Sequence, residues 1–158
     1  MSNGATTSPL WPADNPATTA HMTMLQSIIS RLANNSAACK TWCLTLVGAL
    51  VSLAGATKVP GIITFTLIPI TIFGFLDTMY LAQEKAYRAL FNDVVGQIRA
   101  GTYCLTDTFE AKAALKLNYV GQALKSWSIW PVYLGLIAAY LFAYYKGWLG
   151  LLTAPAAK

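Results

Sequence analysis

The chain predicts an all-α fold, an integral membrane protein with three transmembrane helices and cytoplasmic amphipathic helices, and three observations carry that expectation. Residues 41–57, 59–76 and 126–145 contain no charged side chain and run for 17, 18 and 20 residues. That is close to the roughly 18 or more apolar residues with which a helix crosses a bilayer. Lys40, Lys58, Lys125 and Lys146 bracket these stretches, and lysine stems are long enough to carry their ammonium groups up to the headgroups. The composition agrees. Of 158 residues, 56% are apolar and 11% charged, against roughly 25% charged in a soluble domain, and the mean hydropathy is +0.49.

Such a chain has room for one small membrane domain and a short soluble segment, and none for a separate enzyme domain. Its net charge of +5 lies mostly beside the apolar stretches. This predicts topology and anionic-lipid contact, with no direct nucleic-acid binding expected. Residues 1–18 form a loosely ordered N-terminal lead-in, tied down if anywhere by Leu10-Trp11-Pro12. It has no basic residue and no apolar core, unlike a secretory signal.

Residues 19–36 predict a cytoplasmic amphipathic helix. Met22, Leu25, Ile28, Ile29 and Leu32 recur at helical spacing, with Gln26, Ser30 and Arg31 on the other side. Thr18 or Thr19 is placed to cap it, and His21, near its start, reads as a surface or capping contact. Asn34-Asn35-Ser36 permits either a turn or a polar patch inside a helix that runs on into the first span.

Residues 39–81 predict a transmembrane hairpin with a tight turn over 55–61. Gly48, Ala49, Ser52 and Ala54 allow close helix approach in the first arm. Pro69, in the middle of the second apolar stretch, predicts a kink. The segment 82–125 reads as cytoplasmic and helical. The second helix continues to Ala100 and stops at Gly101, with Asp77, Tyr80, Glu84, Tyr87 and Phe91 in one stripe. A loop follows, with Tyr103 and Leu105 in a short extended piece, and then a weaker amphipathic helix over 109–124. Residues 126–148 predict the third transmembrane helix, with Trp127, Trp130 and Tyr133 at one interface and Tyr144, Tyr145 and Trp148 at the other. A tail, 149–158, completes the chain. The apolar side of the cytoplasmic part of the second helix needs cover, which makes Leu25 and Ile29 the expected packing partners of Tyr80, Tyr87 and Phe91.

Orientation follows from the basic residues. Arg31, Lys40, Lys85, Arg88, Arg99, Lys112, Lys116 and Lys125 fall on one side, and Lys58, Lys146 and Lys158 on the other. The richer side belongs in the cytoplasm, which puts the N-terminus inside and the C-terminus in the periplasm.

No phosphate-binding glycine loop occurs, and a single histidine cannot complete a nucleophilic triad or a zinc cluster. The expectation is no enzyme, with no catalytic, cofactor or metal residue. Cys39 and Cys43, one helical turn apart, read as packing residues. The candidate interface or gating residues are Arg31, Lys40, Asp77, Glu84 and Arg88. Asp77 stands where the second stretch leaves the bilayer, a depth at which a carboxylate needs a partner. Arg31, Lys40 and Arg88 are the cations available to it.

Two strings, HMTMLQSIISRLANNS over 21–36 and LDTMYLAQEKAYR over 76–88, with their adjoining spans, resemble small bacterial membrane proteins of the SLATT type. These are associated with antiphage defence loci, including RADAR-like accessory membrane proteins. The resemblance implies a non-catalytic inner-membrane effector or accessory protein. Such a homo-oligomer would perturb or permeabilise the bilayer when triggered by a soluble cytoplasmic defence protein or a nucleotide second messenger. This chain adds a third apolar stretch to that two-span pattern. Thr41, Thr45, Ser52, Thr64, Thr66 and Thr71 are the polar groups that a pore has to work with. The alternative is a membrane adaptor that anchors a soluble complex without conducting ions.

Overall fold

The computed structural model describes residues 15–59, 61–104 and 112–145. The lead-in residues Leu10, Trp11 and Pro12, the loop residues Leu105 and Phe109, and the basic residues Lys146 and Lys158 lie outside them.

The first helix, α1 (Pro16–Thr57, 42 residues), is continuous from the amphipathic segment through the first apolar stretch. At 1.5 Å per residue it is about 63 Å long. Asn15 caps it by accepting the Ala17 amide at 2.9 Å, and Pro16 fills the first helical position, where a missing N–H is harmless. Asn34, Asn35 and Ser36 are therefore a polar patch inside a helix and not a turn. The helix also runs through Gly55 to Thr57, so the turn is shorter than the expected 55–61. It pivots on Lys58 in the left-handed region (φ 55°).

The second apolar stretch is broken, not kinked. A four-residue helix, α2 (Gly61–Thr64), is followed by a turn at Phe65 and Thr66, and then by α3 (Leu67–Ala100, 34 residues), about 51 Å long. Pro69 explains the position of the break. Its ring cannot coexist with a helical carbonyl four residues earlier, at Phe65. That carbonyl instead accepts the Ile68 amide at 3.2 Å, and Pro69 falls in the first turn of α3, where proline is tolerated. The far end of α3 closes on Gly101 at φ 67°, with Gly101 N–H bonded to the Ile98 carbonyl and Thr102 N–H to the Gln97 carbonyl. This double closure needs the left-handed residue that glycine supplies.

Among the described residues beyond the loop, helix starts at Leu117, later than the stripe from residue 109 predicts. α4 (Leu117–Leu124) has only eight residues. Residues 112–116 are not helical, and Lys112, Ala114, Leu115 and Lys116 are exposed. Ahead of Leu117 the described part of the stripe offers only Ala113, too little apolar surface to offset the nucleation cost of another helical turn. α5 (Trp130–Tyr145, 16 residues) likewise starts later than the helix expected over 126–148, because residues 127–129 form a turn ahead of Pro131.

Antiparallel α1 and α3 form the body of the molecule, and α4 and α5 pack on α3. Two apolar clusters hold it. Leu25, Val94 and Tyr103, flanked by Met22, Tyr87, Leu90, Phe91 and Ile98, lie at the end of the hairpin away from the turn. Cys43, Ile70, Ile129 and Tyr133, flanked by Val47, Phe73 and Leu136, join α1, α3 and α5.

Exposed apolar side chains are unevenly placed. On α1, α2, α3 and their connections, the large ones fall between Trp42 and Phe75–Leu76, and include Leu44, Leu53, Phe65, Ile68 and Ile72. Among the described residues, none lies over 15–41 or 77–104. Two helical segments, Pro16–Thr57 and Gly61–Ala100, are thus long and apolar enough to cross a membrane, and their apolar windows are mostly unburied. A third apolar helix, Trp130–Phe142, is shorter.

Candidate functional site

A buried polar cluster sits where the apolar and polar parts of the hairpin meet. α1 supplies Ser36 and, one turn later, Lys40. α3 supplies Asp77, whose side chain is fully buried. The Ser36 hydroxyl donates to Asp77 Oδ1 at 2.5 Å. Lys40 Nζ donates to the same oxygen at 2.9 Å and to Ser36 Oγ at 3.0 Å. It also lies 2.7 Å from Asp77 Oδ2, an ionic contact outside hydrogen-bond alignment. The three side chains close a ring of contacts, which a carboxylate removed from water needs in order to remain charged. The Lys40 side chain is 18% exposed, so the pair is anchored on its acid and reaches outward through its base.

α5 covers this cluster. The Tyr133 hydroxyl donates to the Phe73 carbonyl at 3.2 Å, one turn of α3 before Asp77. Its ring lies over Gly74, where an added Cβ would come 3.4 Å from the ring. Glycine at that position lets the aromatic ring rest on the backbone of α3. Cys39 and Cys43 are free and buried beside the cluster. Among the described residues no three of His, Cys, Asp and Glu gather as metal ligands.

The other candidate residues are placed apart. Glu84 is bound by Arg88 of its own helix, Nε to Oε1 at 2.7 Å. It lies seven residues beyond Asp77, about 10 Å along the axis. Among the described residues the five candidates therefore form two separate ion pairs, Lys40–Asp77 and Arg88–Glu84, because Glu84 is met by its own i+4 neighbour. Arg31 is exposed and enters no ion pair with another described residue. Of the packing residues, Leu25 is fully buried with Tyr87 and Phe91 against its cluster. Ile29 lines a groove of about 430 Å³ with Gln26, Ser30, Arg88, Phe91 and Asn92. Tyr80 is half-buried.

His21 is not a surface or capping residue. It is fully buried, and its Nδ1 lies 2.7 Å from the hydroxyl of Tyr103, itself 1% exposed. The chain beyond Gly101 thus folds back onto the start of α1. Ser36, Tyr133 and Tyr103 were not singled out by spacing. Tyr133 carries the signal of an interfacial aromatic, and Ser36 that of a polar patch one turn before Lys40.

No protein-family model, curated protein or solved structure matches this chain.

Proposed function

We propose that this protein is a non-catalytic inner-membrane component of an antiphage defence system, an adaptor that holds a soluble cytoplasmic partner at the bilayer. The observation that carries the membrane part is the confinement of exposed large apolar side chains on the hairpin to residues 42–76. A water-soluble hairpin has no reason to expose apolar groups over one half only, whereas a bilayer solvates them. In this reading α5 is the third span, about 24 Å of helix, with aromatic residues at both ends. The Lys40–Asp77 pair marks the cytoplasmic interface, the N-terminus is inside, and the C-terminus is periplasmic. The distal half of the hairpin stands in the cytoplasm, and its groove at Arg88 and Asn92 receives the partner. The defence setting rests on the resemblance of the two strings.

The adaptor reading takes precedence over a permeabilising effector because of the hydroxyl groups. Thr41, Thr45, Ser52 and Thr71 each donate to the carbonyl four residues back in their own helix, at 2.8–3.2 Å. Groups satisfied in this way sit comfortably in lipid and offer little to a column of water. The effector reading draws on a different feature. A buried ion pair at the interface is a two-state element that a trigger can open, and the exposed apolar flanks suit homo-oligomers.

Potassium leakage and reporter fusions test these readings. A periplasm-active reporter fused after Lys158 is expected to be active, and one at Gly101 silent. The reverse pattern overturns the orientation. Cells expressing the chain with its genomic neighbours are expected to retain potassium during infection, and leakage that depends on this chain would replace the adaptor with the effector.

A further inference from the structure

We propose that the surface running from the approach to α4 through its elbow with α5 is a binding site for anionic phospholipid headgroups, with Lys112 and Lys116 before the helix and Lys125 after it as the headgroup ligands. The inference rests on the membrane reading above and adds a lipid class and a place.

Two observations converge on it. The first is an apolar surface left open by the fold. α4 turns Ala123, fully buried, toward its neighbours, whereas Leu117 is 85% and Leu124 52% exposed. Seven residues apart, these two leucines share the outward face of the helix. Trp127 and Trp130, 87% and 51% exposed, extend that surface through the turn. Trp130 is held there by its indole N–H, which donates to the Leu124 carbonyl. The elbow has a definite depth. Ile129 and Tyr133, immediately after it, pack with Cys43 and Ile70, beside the boundary where the exposed apolar belt of the hairpin begins at Trp42 and Leu76. Its leucines and tryptophans continue that belt sideways at the bilayer edge, where amphipathic helices and indole rings settle.

The second observation is charge. Lys112, Lys116 and Lys125 are all exposed, and no Asp or Glu occurs after Glu110. No described ion pair engages these three lysines. A neutral bilayer surface would accept the apolar face and leave the three ammonium groups without a counter-charge among the described residues. Phosphate-centred headgroups carrying a net negative charge satisfy both. The cytoplasmic leaflet, to which the elbow belongs in this topology, is the leaflet that carries them.

The test uses the full-length protein in nanodiscs of phosphatidylcholine mixed with phosphatidylglycerol, released into mild detergent, with retained lipids counted by native mass spectrometry. The wild-type protein is expected to retain phosphatidylglycerol in excess of its share of the bilayer. Each of Lys112→Gln, Lys116→Gln and Lys125→Gln should lower that excess about fivefold at low salt. The triple variant should retain the two lipids in the bilayer ratio, and raised salt should have the same effect on the wild type. Lys58→Gln, at the opposite end of the hairpin, should retain lipids as the wild type does. Equal retention of both lipids by the wild type would overturn the site, as would an excess that survives in the triple variant. Loss of the excess on converting an elbow lysine together with appearance of a dimer would instead assign the face to a second copy. A protein that never enters the discs would sink the membrane reading and this inference with it.

Discussion

Lys40 and Asp77, on antiparallel helices, bring Nζ to 2.7 Å from Oδ2, and the two ends of that contact are unequal: the carboxylate is fully buried and the ammonium side chain is 18% exposed. Removing the base leaves a buried anion with only neutral donors, whereas removing the acid leaves a cation that can swing toward headgroups. Lys40→Met should therefore lower stability by about 3–5 kcal/mol. Asp77→Asn, which keeps an acceptor for Ser36, should cost about 1–3 kcal/mol. The double substitution Lys40→Met with Asp77→Leu should recover most of the loss. Thermal unfolding in a fixed detergent checks the order, and equal losses for the two single variants would contradict the asymmetry.

Leu53 and Gln26 are both exposed on α1, yet in the membrane reading they face different solvents. Leu53→Lys, about one turn from the end of the span, should impair insertion by about 1 kcal/mol, below the roughly 3 kcal/mol of a mid-span lysine, seen as protein lost from carbonate-washed membranes. Gln26→Lys should change stability by no more than about 0.5 kcal/mol. Normal yields for Leu53→Lys would mean that water, not lipid, surrounds that half of the hairpin.

Gly74 controls the docking of α5. Gly74→Ala places its Cβ at 3.4 Å from the Tyr133 ring, an ordinary contact, and should be neutral or stabilising by about 0.5–1 kcal/mol. Gly74→Leu has no such room and should displace Tyr133 from the Phe73 carbonyl. The readout is a crosslink between native Cys43 and Ile129→Cys, which share one cluster. It should form in the Ala variant and be lost in the Leu variant.

Tyr103 ties the chain after α3 to His21 through a buried 2.7 Å contact. Tyr103→Phe should cost about 1–3 kcal/mol and speed amide exchange at Thr102 and Cys104 more than anywhere in the apolar half. Gly101→Ala, forced to φ 67°, should add about 1–2 kcal/mol of loss. Unchanged exchange in Tyr103→Phe would show that the cluster of Leu25 and Val94 holds the loop without help.

Much of the hairpin was legible because its signals are local. A run of apolar residues, a stripe at spacings of three and four, and a glycine after Ala100 each act within a few residues, and α3 ends where they say. The Phe65–Thr66 break was legible in principle as well, since a proline disturbs the carbonyl four residues before it. A mid-span kink was the wrong consequence to draw, because a turn there left Pro69 in a position that helices accept. The residue 109–124 stripe misled for the opposite reason. Its periodicity suits a helix, but among the described residues only Leu117–Leu124 is helical, and that helix packs through Ala123 while Leu117 and Leu124 of the stripe face outward.

By itself the sequence determined the helical class, the separation of apolar from polar halves, and the set of charges from which any site had to be built. Which of Arg31, Lys40 and Arg88 meets Asp77 was decided by the tertiary structure alone. The reason is register. The turn at Lys58 sets how α1 slides along α3, and each residue of slip rotates a side chain by about 100°, enough to take Lys40 away from Asp77 altogether. The same docking brings Ser36 to Asp77 Oδ1, lays Tyr133 over Gly74, and buries His21 against Tyr103. These contacts join residues tens of positions apart, and a pattern of neighbours along the chain carries no information about them until the helices are packed.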